Sequence, residues 1–205
     1  MYKIETVKNE EELKKVFNFL AEVFYDDAKQ HNEHYFTMTE RLEEMKKQLN
    51  IDNELLMYVE ENGEVIAGIT GKGMDKEKQK ITLGVMAVDS NHRRKGLARL
   101  LINEFEKRCK GKGILHIDLG ARFRACPLYI SMNYKPSLMV QVFDFTSIEE
   151  VKKQNKYNFE EGFSWQGDGY GFIFYKIDEV KEEYLEWFEE NVKTAHAQYI
   201  FEKDL

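Results

Sequence analysis

The chain has 205 residues, enough for one large domain, or for one domain with a small companion, around a sizeable buried core. No apolar run approaches a membrane span, Met1-Tyr2-Lys3-Ile4-Glu5 lacks the apolar core of a signal peptide, and two cysteines, Cys109 and Cys126, give neither a disulfide framework nor metal-ligand spacing. The net charge of −7 is concentrated late, with 15 acids against 7 Lys/Arg in residues 137–205, net −8, which argues against nucleic acid as a partner; the missing span and the cysteine usage lead us to expect no membrane, no metal and a cytoplasmic protein.

Taken in order, Tyr2, Ile4 and Thr6 alternate as a first strand. Asn9 caps a helix, with Glu12 placed to complete a capping box and Leu13, Val16, Phe17, Leu20, Val23 and Phe24 forming its apolar stripe. Asp26 to Phe36 is polar and rich in His and Tyr, reading as a loop. Thr37 with Glu40 opens a second helix whose apolar face is Met38, Leu42, Met45 and Leu49. Leu55 to Glu60 and Val65 to Gly71 form a hairpin through Asn62-Gly63, a strong turn signal. The polar stretch Lys72 to Lys80 reads as a link into a central strand, Ile81 to Val88.

That strand feeds a turn, Asp89 to Lys95, and then a helix with Leu97, Leu100, Leu101 and Phe105 on one face. A strand entering a helix this way aims unpaired backbone amides and the positive end of the helix dipole at one point, which suits a phosphate. Gly96 removes a Cβ there, Ala98 keeps the next turn low, and Arg93, Arg94, Lys95 and Arg99 add positive charge with no acid among them. A buried strand at Ile114 to Leu119 and a short segment, Leu128 to Pro136, follow.

In the last third, Ser137 to Phe145 alternates as a strand and Ser147 with Glu150 caps a short helix. Tyr157, Phe159, Phe163 and Trp165 recur on even spacing, Gln166-Gly167-Asp168-Gly169 turns the chain, and Phe172 to Ile177 returns. Val180, Tyr184, Trp187 and Phe188 mark a helix face, and Ala195 to Phe201 closes as a strand. This βαββαβ count is compatible with a small ferredoxin-like unit. The competing reading makes Leu138 to Phe145 and the terminal Tyr199 to Leu205 the last strands of the main sheet, with the remainder an insertion.

Arg93-Arg94-Lys95-Gly96-Leu97-Ala98, in its strand-turn-helix setting, resembles the Q/R-x-x-G-x-G/A motif of the GCN5-related N-acetyltransferases (GNAT). Leu128-Tyr129-Ile130-Ser131-Met132-Asn133-Tyr134-Lys135-Pro136 resembles a second family segment at the expected distance. The resemblance covers about the first two thirds of the chain. It implies an α/β fold with a GNAT-like mixed central sheet flanked by helices, with 1–136 as the acetyltransferase domain and 137–205 as a C-terminal α+β extension packed on it that could supply the last strands.

The resemblance further implies direct transfer of acetyl from acetyl-CoA to a primary amine. Met86 and Val88 would pair with the pantetheine through their backbone, the amides from Arg94 to Ala98 would take the pyrophosphate, and Arg122 stands where relatives often carry an asparagine toward the cofactor. Tyr129 occupies the place of the family's general acid, and the amide of Val88 that of the oxyanion donor. Ser90 replaces a frequent proline. The central strand Ile81 to Val88 carries no ionisable group, so His116, Asp118, His31, His34 or Tyr35 are the candidate bases. The acceptor is expected to be a small-molecule amine or a peptide, with the loop Tyr25 to Phe36 as one wall and the aromatic hairpin Tyr157 to Tyr175 as sheet core or a second wall. A homodimer is left open. The rival class is a non-catalytic acyl-CoA-binding or regulatory module on the same fold. A nucleotide-binding domain of another kind lacks support, since neither a P-loop lysine motif nor G-x-G-x-x-G is present.

Overall fold

The computed structural model describes residues 2–30, 39–143 and 146–205. The chain divides into two compact units, Met1–Ile117 with Asp204–Leu205, and Asp118–Lys203.

In the first unit, strands β1 (Ile4–Thr6), β2 (Leu56–Glu61), β3 (Glu64–Asp75) and β4 (Lys80–Val88) form an antiparallel meander. Asn62 and Gly63 both take positive φ, 54° and 87°, as the tight β2–β3 turn requires. The polar stretch read as a link is instead the far end of β3 and a second hairpin, with Lys72 opposite Thr82 and Asp75 opposite Lys80.

Two helices cover one face of this meander, α1 (Glu10–Gln30) and α2 (Thr39–Ile51). Leu13, Val16 and Leu20 of α1 and Met45 of α2 pack with Leu56, Tyr58, Val85 and Ala87. Helix α1 starts as its cap predicts: the Asn9 side chain accepts from the Glu12 amide at 2.9 Å, and the Glu12 carboxylate accepts from the amide of Lys8 at 2.8 Å. It then runs on to Gln30, into the stretch read as loop. Thr37 and Met38 of the expected second helix lie outside the described residues.

Helix α3 (Leu97–Gly111) buries Leu97, Leu101, Ile102, Phe105 and Cys109. Leu100, expected on that stripe, is 38% exposed, because the i, i+4 row through 97, 101 and 105 turns it toward solvent. Gly71 lets β3 lie close to this layer: a Cβ there would stand 2.8 Å from Ile81 Cδ1 and 3.2 Å from both Leu55 Cβ and Phe105 Cε2.

Strand β5 (His116–Ala121) leads into the second unit, where α4 (Cys126–Ile130) precedes β6 (Lys135–Phe143), α5 (Ile148–Lys153), β7 (Glu160–Gln166), β8 (Tyr170–Lys176), α6 (Glu182–Asn191) and β9 (His196–Asp204). The strand order is β5-β9-β6-β8-β7. Within it, β6 runs antiparallel to both β8 and β9, and β7 antiparallel to β8. Counting from β6, that order is fourth, first, third, second, the arrangement of a ferredoxin-like βαββαβ unit. One face is buried, through Leu138, Val140 and Val142, Ile173 and Tyr175, and Ala197, Tyr199 and Phe201. Tyr175 stacks on Phe188 of α6 at 5.7 Å, and Tyr129 of α4 meets Phe201 at 5.5 Å. The Ser147 hydroxyl accepts from the Glu150 amide to start α5, as the sequence suggests.

Candidate acyl-transfer site

The end of β4 and the turn after it carry most of the expected site. In the antiparallel ladder Ala67 lies opposite Val88, and the amide of Asp89 donates to the carbonyl of Ile66 at 2.8 Å. Pairs in such a ladder alternate between exchanging hydrogen bonds and not. The Asp89 to Ile66 bond marks a hydrogen-bonded position, so Val88 and, two residues back, Met86 turn their amides and carbonyls away from β3. Sheet register, not side-chain identity, fixes this.

The chain then makes a short 3-10 turn, Ser90–His92, capped by the Asp89 carboxylate, which accepts from the Asn91 amide at 3.2 Å. Ser90 therefore does without the family's proline. Arg94 follows in the left-handed region at φ 62°, and Gly96, with φ 86° and ψ −1°, is the N-cap of α3. Glycine takes that conformation without steric penalty. The first intrahelical bond runs from the Leu100 amide to the Gly96 carbonyl at 3.0 Å. The amides of Leu97, Ala98 and Arg99 thus have no acceptor within the helix, at its positive end. A Cβ built on Gly96 meets nothing within 4 Å. The helix start is open, and an anion has room beside it.

Arg93, Arg94, Lys95 and Gly96 are exposed and Ala98 is half-buried. The guanidinium of Arg93 folds back, its Nε donating to the carbonyl of Val88 at 3.2 Å. One of the two outward groups of Val88 is therefore used by the chain itself. His92 was not singled out by sequence. Its ring lies between two carboxylates, with Nε2 3.0 Å from Glu61 of β2 and Nδ1 3.4 Å from Asp89. This ties the turn to the β2–β3 hairpin, and no local pattern could have signalled a partner 31 positions away.

Tyr129 and Arg122 belong to the second unit. Tyr129 is 5% exposed, edge-on to Tyr134 with ring centroids 5.7 Å apart. Burial first, and then Cys126, hold its hydroxyl well above the usual tyrosine range; such a phenol keeps its proton at neutral pH. Arg122 is half-buried in extended backbone ahead of a 3-10 turn, Phe123–Ala125. Of the candidate bases, His116 is engaged by Asp204, Nδ1 to Oδ1 at 2.6 Å, with the imidazole half exposed. Asp118 is half-buried. His31, His34 and Tyr35 lie outside the described residues. Among the described residues no cluster of three or more His, Cys, Asp or Glu could hold a metal, and no helix is long and apolar enough to cross a membrane.

The end of β4 is thus followed by a glycine-capped helix start with Arg94 and Lys95 exposed beside it. The model of the acetyltransferase (GNAT) family matches residues 14–134. That is more than half of the chain, and the protein belongs to this family of acetyltransferase enzymes, whose chemistry is acyl transfer. No curated protein matches the sequence.

Among solved structures, the chain is similar to the ribosomal-protein-alanine N-acetyltransferase of Brucella melitensis, at 15% identity and a TM-score of 0.54 over 99% of each chain. It is also similar to the IAA acetyltransferase of Bacillus cereus, at 12% identity and a TM-score of 0.53 over 100% of both chains. An aminoglycoside acetyltransferase from an uncultured soil metagenomic sample, solved in complex with trehalose, matches at 23% identity and a TM-score of 0.50, covering 64% of this chain and 87% of its own. At these identities the likeness establishes the fold.

Proposed function

We propose that the protein transfers an acetyl group from acetyl-CoA directly to a primary amine of a small molecule or peptide. The observation that carries this reading is the backbone of β4 and its turn: Met86 and Val88 face away from β3, and the open helix start at Gly96 follows eight residues after Val88. In this reading the pantetheine pairs along Met86 and Val88. The pyrophosphate sits on the amides leading from Arg94 to Ala98, with Arg94 and Lys95 as screening cations and Arg122 toward the same cofactor. Arg93 acts by holding the Val88 carbonyl, not by reaching phosphate.

The reaction needs an acceptor nitrogen without its proton, a donor for the tetrahedral oxyanion, and a proton for the departing thiolate. The Val88 amide is the oxyanion donor. Tyr129, a phenol protonated at neutral pH, is the donor to the thiolate. The acid-rich balance of the chain favours a cationic acceptor over an anionic one. Residues 1–136 carry the chemistry and 137–205 supply strands and one flank. The cytoplasm, where Cys109 and Cys126 stay as the free buried thiols they are here, is the compartment that fits.

The test is release of free CoA thiol from acetyl-CoA, followed with a thiol reagent across a panel of amines, polyamines, aminoglycosides and peptides with free N-termini. Amine-dependent release that disappears in Tyr129→Phe supports the reading. No release with any amine, from a protein that binds acetyl-CoA, would overturn amine transfer.

A further inference from the structure

The sheet of the second unit has a face that no helix covers among the described residues. The odd positions of β6, the even positions of β8 and the even positions of β9 alternate with the buried set and lie opposite one another in register: Phe143 beside Tyr170, Gln141 between Phe172 and His196, Met139 between Phe174 and Gln198. From β7, Phe163 lies opposite Phe174 and Trp165 opposite Phe172. The rings form one continuous group. Trp165 stacks on Phe172 at 5.6 Å and 29°, meets Tyr170 at 5.0 Å, and Phe163 meets Phe172 at 6.0 Å.

Four of these rings are well exposed: Phe163 by 56%, Tyr170 by 43%, and Phe143 and Trp165 by 41% each. With a full aromatic side chain presenting about 150–250 Å², the four alone leave on the order of 350 Å² of aromatic surface in water. That matches the largest apolar patch of a typical monomer, about 300–600 Å², before the half-buried Met139, Phe172 and Phe174 are added. The hairpin does not read as core: Tyr157, Phe159 and Tyr175 pack inward, while Phe163, Trp165 and Tyr170 point out.

Charge identifies the occupant. Charged side chains stand at the edges of this face: Lys176 pairs with Glu160, Lys135 stands opposite Glu202 in register, and His196 lies 3.2 Å from Glu189. Among the described residues they balance, and the rings themselves carry no fixed charge. The extension that bears it is net −8 over 137–205, so anionic lipid and nucleic acid are repelled from its surroundings, and the rings themselves offer no carboxylate to a cationic partner. What fits is a surface equally aromatic and equally neutral.

We infer that this face packs against the same face of a second copy of the chain, sheet on sheet about a twofold axis. An isologous contact needs a self-complementary patch. The four exposed rings supply close to half of the roughly 800 Å² per partner that a standard interface buries, and the remainder of the four-strand face extends the same surface. An aromatic centre with a polar rim is the composition such interfaces use.

The test is sedimentation equilibrium of the full chain from low to high micromolar concentration, beside Phe163→Glu. The wild type is expected to dimerise, and Phe163→Glu to weaken the dimer at least tenfold with an unchanged thermal melt. A wild type that stays monomeric at high micromolar concentration overturns the inference, as does a folded Phe163→Glu that dimerises like the parent. Should Phe163→Glu fail to fold, Trp187→Phe leaves Trp165 as the sole indole. Its emission should move to shorter wavelength as concentration rises, and emission independent of concentration overturns the inference. The acetyl-CoA reading does not enter, so each can fail alone.

Discussion

Replacing Gly96 by alanine separates what the turn does for the fold from what it does for a ligand. The residue sits at φ 86° and ψ −1°, where an L side chain costs about 1–2 kcal/mol. Alanine also narrows the unfolded ensemble, returning about 0.4–1 kcal/mol. No steric penalty is added in the free protein, because the new Cβ meets nothing within 4 Å. The net loss is about 1 kcal/mol, a fall in Tm of about 2–4 °C for a chain of this size. With acetyl-CoA bound the arithmetic changes. On the proposed reading the Cβ would stand where the pyrophosphate approaches the amides, and one charge-assisted hydrogen bond to phosphate is worth about 1.5–3 kcal/mol, or about 10- to 150-fold in Kd. Calorimetric titration with acetyl-CoA and a thermal melt on the same two proteins give both numbers. A variant that loses the expected few degrees and binds acetyl-CoA as tightly as the parent refutes the cradle, and a folded parent that does not bind acetyl-CoA removes the cofactor assignment altogether.

Tyr129→Phe keeps the ring against Tyr134 and Phe201 and removes one proton donor; kcat is expected to fall by about 10²–10⁴ with KM for acetyl-CoA within a few-fold, in steady-state assays. Gly71→Ala drives a Cβ to 2.8 Å from Ile81 Cδ1 and 3.2 Å from Phe105 Cε2, an overpacking cost of about 1–3 kcal/mol, read as a lower urea midpoint with an unchanged slope. Burial pushes the thiols of Cys109 and Cys126 up to about 12, from an ordinary value of 9.0. The native state therefore holds protons that the unfolded chain gives up, so this contribution to stability is complete below about pH 9 and is lost as pH rises toward about 12, at up to about 1.4 kcal/mol per pH unit per thiol. Urea midpoints between pH 8 and 11 check it, and a Cys109→Ala, Cys126→Ala double variant should show a flatter alkaline decline.

Where a segment has one wet face and one dry face, its sequence announces it. Leu13, Val16 and Leu20 of α1 and the alternation along β6, β8 and β9 are of this kind, and both survive in the structure. The far end of β3 is not: Lys72 is 40% exposed at its side chain and Asp75 39%, so the ladder continues there with no hydrophobic pattern to report it. Helix α1 passes Asp26 for a related reason, since its backbone bonds propagate without an apolar stripe. The site divides the same way. Gly96 was legible because one residue type suits a positive φ. The outward turn of Met86 and Val88 depends on the register of β3 against β4, and the return of Arg93 to the Val88 carbonyl on a side-chain rotamer; neither leaves a mark in a string of letters. Leu100 shows the limit of counting periods, since two adjacent leucines cannot both lie on the centre of one helical face.

Strand β9, the fourth strand of the ferredoxin-like unit, neighbours both β5 and β6. That gives truncation a definite outcome. A chain ending at Pro136 keeps β5 and α4 but loses β9, so the β5 edge that β9 covers is left with open amides and carbonyls, a template for aggregation. It also uncovers Tyr129, whose ring rests on Phe201. The expected product is insoluble or molten, with no cooperative melt and no acetyl-CoA binding, even though the family motif and every residue of the Arg93 to Ala98 turn are intact. A soluble 1–136 fragment that melts cooperatively and binds acetyl-CoA like the full chain would refute this, and would make 137–205 an appendage in energy as well as in sequence.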